Sequence, residues 1–352
     1  MNGRRPLLVS NDADLIDDVL RLAAANGVEV HLATDVEGAR SRWQLAPLVI
    51  VGADAAAQVA AARMARRRDV VLVTRDQPPD VWQLAVALGA ENVVCLPEAD
   101  RWLIDRLADS GEGPVRDGRI VAVMGCGAGA GASTFAVTLA IAAAAKSLRV
   151  LLVDADPLGG GLDVLLGLED AGGVRWPDLV ETRGRLGSRS LADALPHTDG
   201  VAVISWGREG PRGASPEAMS AVLDAGVRGH DIVIVDLPRQ LDPVTELVTS
   251  RADETVLVAT NRVRSAAAAA RITGVLDGRC GSLGIVLRSD PRGVLDDAVL
   301  AALPVPVIAR LPVAAGLAGR ADDGRPPGLK DAYGKACMAA LHTLARNLGR
   351  VA

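Results

Sequence analysis

The chain has 352 residues, 49% hydrophobic and 23% charged, with 38 basic and 43 acidic side chains and a net charge of −5. That length suits two folded domains, and the composition is that of a globular chain rather than a disordered one. An acidic balance without a basic block or a basic stripe rich in aromatics argues against general nucleic-acid binding. In chain order, PLLVS (6–10) reads as a strand and DLIDDVLRLAAANG (14–27) as a helix ending at Gly27. VEVHLA (28–33), PLVIVG (47–52), VVLVT (70–74) and NVVCLP (92–97) read as further strands. Helices are predicted over VEGARSRWQ (36–44), 55–66, 79–88 and WLIDRLADS (102–110). Strict strand–helix alternation predicts a doubly wound parallel sheet covered on both faces.

The order of this first unit, residues 1–108, resembles the response-regulator receiver fold. Asp12 and Asp14 follow the first strand, where receivers keep acidic metal ligands, and Thr74 matches the hydroxyl after the fourth. The phosphoacceptor position is Gly52, with Asp54 two residues late, and Leu96 stands where the lysine before Pro97 belongs. Without acceptor and lysine, a receiver-like interaction domain is expected rather than a phosphotransfer domain. DSGEGPVRDG (109–118) is short, polar and rich in Gly and Asp, and reads as the linker to a second domain over 119–352.

That domain opens with RIVAVMG (119–125), a strand, then a glycine-rich turn, then STFAVTLAIAAAA, a helix. Strand, glycine loop and helix is the context of a P-loop, whose backbone N–H groups form an anion nest at the positive end of the helix. The same loop also suits a small-residue turn made for tight packing. RVLLVDADPLGGGLDVLLG (149–167) is a buried strand ending in D-x-D, with Asp163 a little further on. DIVIVDLP (231–238) ends in Asp236, in the form of a Walker B strand, and ETVLVATN (254–261) and LGIVLRSD (283–290) supply two more buried strands. Singly, each strand-end Asp also reads as a turn or cap residue; together and in this order they point to a nucleotide fold.

At these segments, and at LPVAAGLAGRADDGRPPG, the chain resembles the MinD/ParA superfamily of deviant Walker ATPases over roughly residues 119–345. GCGAGAGAST and the receiver-like first unit are most similar to the CpaE/TadZ branch. GGGLDVLLG and GVRWPDL (173–179) resemble the septum-site-determining proteins within it. The resemblance implies a MinD-like P-loop α/β domain whose nucleotide loop is Cys126, Gly127, Ala128, Gly129, Ala130, Gly131, Ala132, Ser133 and Thr134. Ala132 then stands at the P-loop lysine, Gly127 at the signature lysine and Cys126 at the first loop glycine. Ser133 and Asp236 keep the Mg²⁺ side of the site, and Asp156 matches the catalytic carboxylate that orients water. Arg239, in DLPRQ, is either a substitute cation for the nucleotide or a solvent-facing loop residue. The implied cofactors are ATP and Mg²⁺, held weakly or not at all, with slow turnover or none.

The resemblance further implies a homodimer acting as a positioning scaffold, with division-site machinery or a pilus or secretion ATPase as partner and no specific nucleic acid. The rival reading is an active MinD-like ATPase cycling between monomer and ATP-sandwich dimer. Cys95, Cys126, Cys280 and Cys337 form no C-x-x-C pair, which fits a reducing cytoplasm. MNGRRPLLVSNDADL lacks the marks of a signal peptide, and FAVTLAIAAAA (135–145) is too short to span a bilayer. A cytoplasmic protein is expected, one that the resemblance would recruit to the inner face of the membrane at septum or pole. The tail DAYGKACMAALHTLARNLGRVA (331–352) reads as a helix closing the domain, with a membrane-surface helix as the alternative.

Overall fold

The structure, a computed structural model, describes residues 5–349 apart from 26, 77, 112–117, 181–185, 208–212, 294–302, 304 and 315. The chain divides into two compact units, Met1–Val115 and Arg116–Ala352.

In the first unit β1 (Leu7–Val9), β2 (His31–Ala33), β3 (Val49–Gly52), β4 (Val70–Thr74) and β5 (Asn92–Cys95) form one parallel sheet in the order β2-β1-β3-β4-β5. Five helices connect and follow them: α1 (Ala13–Ala24), α2 (Val36–Arg40), α3 (Ala53–Ala61), α4 (Val81–Leu88) and α5 (Asp100–Gly111). Side-chain alternation along the strands produces two cores. Leu7, Val9, Val49 and Leu72 are buried on one face, and Leu8, Ile50, Val71 and Val73 on the other. The doubly wound reading is therefore correct. Asp12 starts α1 by accepting from the Asp14 and Leu15 N–H groups, so this acid is an N-cap. The polar stretch expected to be a linker begins inside α5, which runs through Gly111, and its residues 112–117 lie outside the described ones.

The second unit carries an eight-stranded sheet in the order β13-β12-β11-β6-β10-β7-β9-β8. Its strands are β6 (Arg119–Gly125), β7 (Val150–Asp154), β8 (His197–Thr198), β9 (Val201–Ile204), β10 (Ile232–Leu237), β11 (Glu254–Thr260), β12 (Leu283–Arg288) and β13 (Val307–Leu311). All pairs are parallel except β8 with β9. Helices α6 (Ala132–Ala144), α7 (Leu162–Leu165), α8 (Trp176–Leu179), α9 (Ser188–Ala194) and α10 (Pro216–Gly229) precede β10. After it come α11 (Pro243–Arg251), α12 (Val263–Leu276), α13 (Leu317–Asp322) and α14 (Ala332–Asn347). Chain order reverses around β6, so the crevice at the carboxyl ends of β6, β7 and β10 is where this architecture places ligands.

Helix α14 settles the tail. Tyr333, Cys337, Leu341 and Leu344 are buried in one cluster with Phe135 and Leu139 of α6, so its apolar face is core. Asp331 caps it by accepting from the Gly334 N–H at 2.7 Å. Gly334 is required by close approach, since a Cβ there would overlap the Gly328 carbonyl and stand 2.6 Å from the Leu329 Cα. Among the described residues, no helix is long and apolar enough to cross a membrane.

Candidate nucleotide site

Strand β6 ends at Gly125, and the chain turns through residues 126–131 into α6. The turn needs left-handed backbone at Gly129 (φ 68°) and at Gly131 (φ 90°), the N-cap of α6. No side chain caps that N-terminus, so its first N–H groups are left to the crevice. A cavity of about 660 Å³ opens there, walled by Gly125, residues 127–134, the loops after β7 and β10, and Ala321 of α13.

Three carboxylates face this cavity, and each is held differently. Asp236, the last residue but one of β10, is 4% exposed. Burial lifts its carboxyl to about 7, a hydrogen bond with Ser133 partly opposes that, and the nearby charges of Asp154 and Asp156 add to the rise. Its Oδ1 is buried with no hydrogen-bond partner among the described residues. Asp154 lies level with Asp236 in the neighbouring strand β7. Burial raises it to about 6 against the donors it accepts from. These are the Asp156 N–H at 3.1 Å, the Leu162 N–H at 3.1 Å and the Ser205 hydroxyl at 3.2 Å. Asp154 thus pins the loop after β7. Among the described residues Asp156 accepts only a local bond, from the Leu158 N–H at 3.1 Å, and it is the half-exposed carboxylate of the three.

Residues 127–134, Asp156, Asp236 and Arg239 are brought together in one wall. Cys126 is not. It is 1% exposed, its N–H donates to the Val258 carbonyl at 2.9 Å, and burial pushes its thiol up to about 12. The first loop position therefore roots the loop in the core. Among the described residues, Arg239 is the one cation in the cavity wall, and it is exposed.

In the first unit the acceptor position is filled by a neighbour. A Cβ on Gly52 would overlap Asp54 Oδ1 and stand 2.7 Å from Ser10 Oγ. Asp54 folds back from the first turn of α3 and accepts from the Ser10 hydroxyl at 2.8 Å and the Asn11 N–H at 2.6 Å. Leu96, at the lysine position, is buried, and the Leu96–Pro97 peptide is cis.

Residues 9–118 match the family model "Rv3660c-like, CheY-like N-terminal domain". The Mycobacterium tuberculosis protein Rv3660c is 39% identical over 320 residues, which cover 89% of this chain and 90% of that one. The chain belongs to the Rv3660c-like family. The second unit of this Rv3660c-like chain has the MinD/ParA fold. A ParA family ATPase from Chlorobium tepidum superposes with a TM-score of 0.56 at 20% identity, covering 64% of this chain and 98% of that one. MinD from Aquifex aeolicus, in the MinC:MinD cell division protein complex, gives 0.54 at 20% identity, covering 66% and 97%. A putative septum site-determining protein MinD from Nephroselmis olivacea is 28% identical over 129 residues, 37% of this chain and 47% of that one.

Two features of the Rv3660c-like site are invisible to motif reading. Behind Asp154, Ser205 bridges to Asp163 at 2.8 Å, and Arg175 pairs with Asp163 at 3.5 Å. The Trp176 indole N–H donates to the Asp154 carbonyl at 2.6 Å, and its ring stacks on Trp206 at 5.6 Å. The RW pair in GVRWPDL is thus a brace for the loop after β7. The second is Arg288 at the end of β12, which reaches the glycine loop from outside the cavity.

Proposed function

We propose that this Rv3660c-like protein is a positioning scaffold of MinD/ParA type, akin to the CpaE-like septum-site-determining proteins. Its loop holds Mg-ATP weakly and turns it over slowly or not at all. The observation that carries this is a cavity with a backbone anion nest and intact carboxylates but, among the described residues, a single exposed cation, Arg239, in its wall. The residues suit Mg²⁺: among the described residues the buried Asp236 Oδ1 has no partner, and Ser133 stands beside that carboxylate. Ser133 and Asp236 would hold Mg²⁺, which neutralises phosphate charge when bound. The N–H groups of residues 127–134, apart from that of Ala130, would take the phosphates, and Asp156 would orient water.

Losing one charge-assisted hydrogen bond of about 1.5–3 kcal/mol weakens binding roughly 10- to 150-fold. A missing transition-state cation lowers turnover by about 10³–10⁵. Binding therefore survives the loss of the lysines better than hydrolysis does. MinD from Pyrococcus horikoshii is known complexed with Mg-ADP, which supports the nucleotide assignment on a shared fold. In this reading the P-loop unit pairs with a second copy in the cytoplasm, and the receiver-like unit recruits division, pilus or secretion machinery to septum or pole. The decisive test is calorimetry of Mg-ATP binding to the native chain, Ser133→Ala and Asp236→Ala. Binding that is present in the first and lost in both variants supports the site. No binding at millimolar ATP to the native chain overturns it. A second reading, a cycling ATPase, is favoured by the place of Arg239 in the wall; it requires turnover that Arg239→Ala abolishes.

A further inference from the structure

Arg288 ends β12, two strands from β6 with β11 between them. Its side chain spans that gap to the glycine loop. Nε donates to the Ala130 carbonyl at 2.8 Å, and Nη2 donates to the Gly129 carbonyl at 2.8 Å. The fit is close: a Cβ on Gly131 would stand 3.4 Å from both Cδ and Nε of Arg288. Asp290, two residues further on, is engaged by Arg262 through a 2.8 Å ion pair.

The consequence follows from peptide geometry. In a planar trans peptide the N–H points opposite to the preceding carbonyl. Holding the Ala130 carbonyl toward Arg288 turns the Gly131 N–H away from it. Holding the Gly129 carbonyl does the same for Ala130, whose N–H closes the turn onto the Gly127 carbonyl at 3.1 Å. The Gly129 and Ala130 carbonyl oxygens, which would repel an anion, are drawn to a cation at the rear, and the Gly131 N–H and the first N–H groups of α6 are left to the front. A planar guanidinium fork is the side chain suited to gripping two adjacent carbonyls.

We propose that Arg288 is a positioning residue that orders the glycine loop into an array of N–H donors for a polyphosphate. It thereby replaces, from behind the loop, the shape-holding part of what a loop lysine would do. The proposal rests on the reading of the cavity as a nucleotide site. The test compares the native chain with Arg288→Ala and Arg288→Lys. It measures amide hydrogen exchange over residues 127–134 without ligand, calorimetric binding of Mg-ATP and Mg-tripolyphosphate, and the melting temperature. The expected result for Arg288→Ala is exchange at least about 10-fold faster at the Ala130 N–H, which is bonded to the Gly127 carbonyl, but not in β6 or β10. Both ligands weaken together by about 10-fold, the share of one strong hydrogen bond. Arg288→Lys, which keeps the charge but not the fork, recovers part of the affinity and less of the loop protection. A native chain that binds ATP, with affinity and loop exchange unchanged in Arg288→Ala, overturns the proposal, as does a loss of melting temperature alone. A native chain that binds neither ligand overturns the nucleotide reading and the ligand half of the proposal. Loop exchange then still decides whether Arg288 orders the loop.

Discussion

Ala132 opens α6 at the cavity wall, and a larger side chain there has the crevice before it. Ala132→Lys should tighten Mg-ATP by roughly 10- to 150-fold, the value of one charge-assisted bond. Calorimetry checks this, and an unchanged affinity would mean that phosphate does not lie against the start of α6. Asp236 gives a second prediction, on stability. Burial lifts its carboxyl from 3.8 to about 7, so the folded chain holds this proton more tightly than the unfolded chain does. Its contribution is complete below about pH 4 and is lost as pH rises through 7. In Mg²⁺-free buffer, Asp236→Asn should therefore gain stability over the native chain as pH rises from 5 to 8, by at most about 3 kcal/mol in urea unfolding. Parallel stability–pH profiles across that range would show that Asp236 is ionised without penalty.

Elements built from unbroken apolar runs are legible in the sequence, and β1, β3, β4, β6, β7, β10 and β11 fall where VVLVT-like segments predict them. The glycine loop and the strand-end acids are legible too, because backbone turns and buried strand ends restrict residue type locally. β9 is only Val201–Ile204 and β8 only His197–Thr198, too short to stand out from loops. Half-exposed β13 offers no continuous buried run. Ser205 and Arg288 are missed for another reason. Each acts across sequence separations of 51 and 158 residues, at Asp154 and Ala130, and nothing local marks either one. Gly52 lies between these cases. Its lack of an acceptor side chain is plain from sequence, whereas the carboxylate of Asp54 taking that space is not. At this scale α14 yields a prediction. Leu344 is fully buried against α6, so Leu344→Ala should lower stability by about 2–5 kcal/mol, read by urea unfolding. The native chain should not sediment with anionic vesicles, since the apolar face of α14 is already taken; co-sedimentation abolished by substitutions in α14 would count against this.

For the whole molecule, the scaffold and the cycling ATPase differ in one bulk property. A scaffold whose loop lacks both lysines should keep the same mass with and without Mg-ATP in sedimentation velocity. A monomer that doubles on adding ATP would favour the cycling enzyme. The seam between α6 and α14 also governs how the molecule comes into being. Roughly 190 residues separate Ala144 from Ala332, which takes about 10–40 s to synthesise at ~5–20 residues per second. Throughout that interval the helix that carries the loop lacks the cover that Tyr333, Cys337, Leu341 and Leu344 finally give it. The nascent chain presents that strip of apolar helix face until α14 has been made.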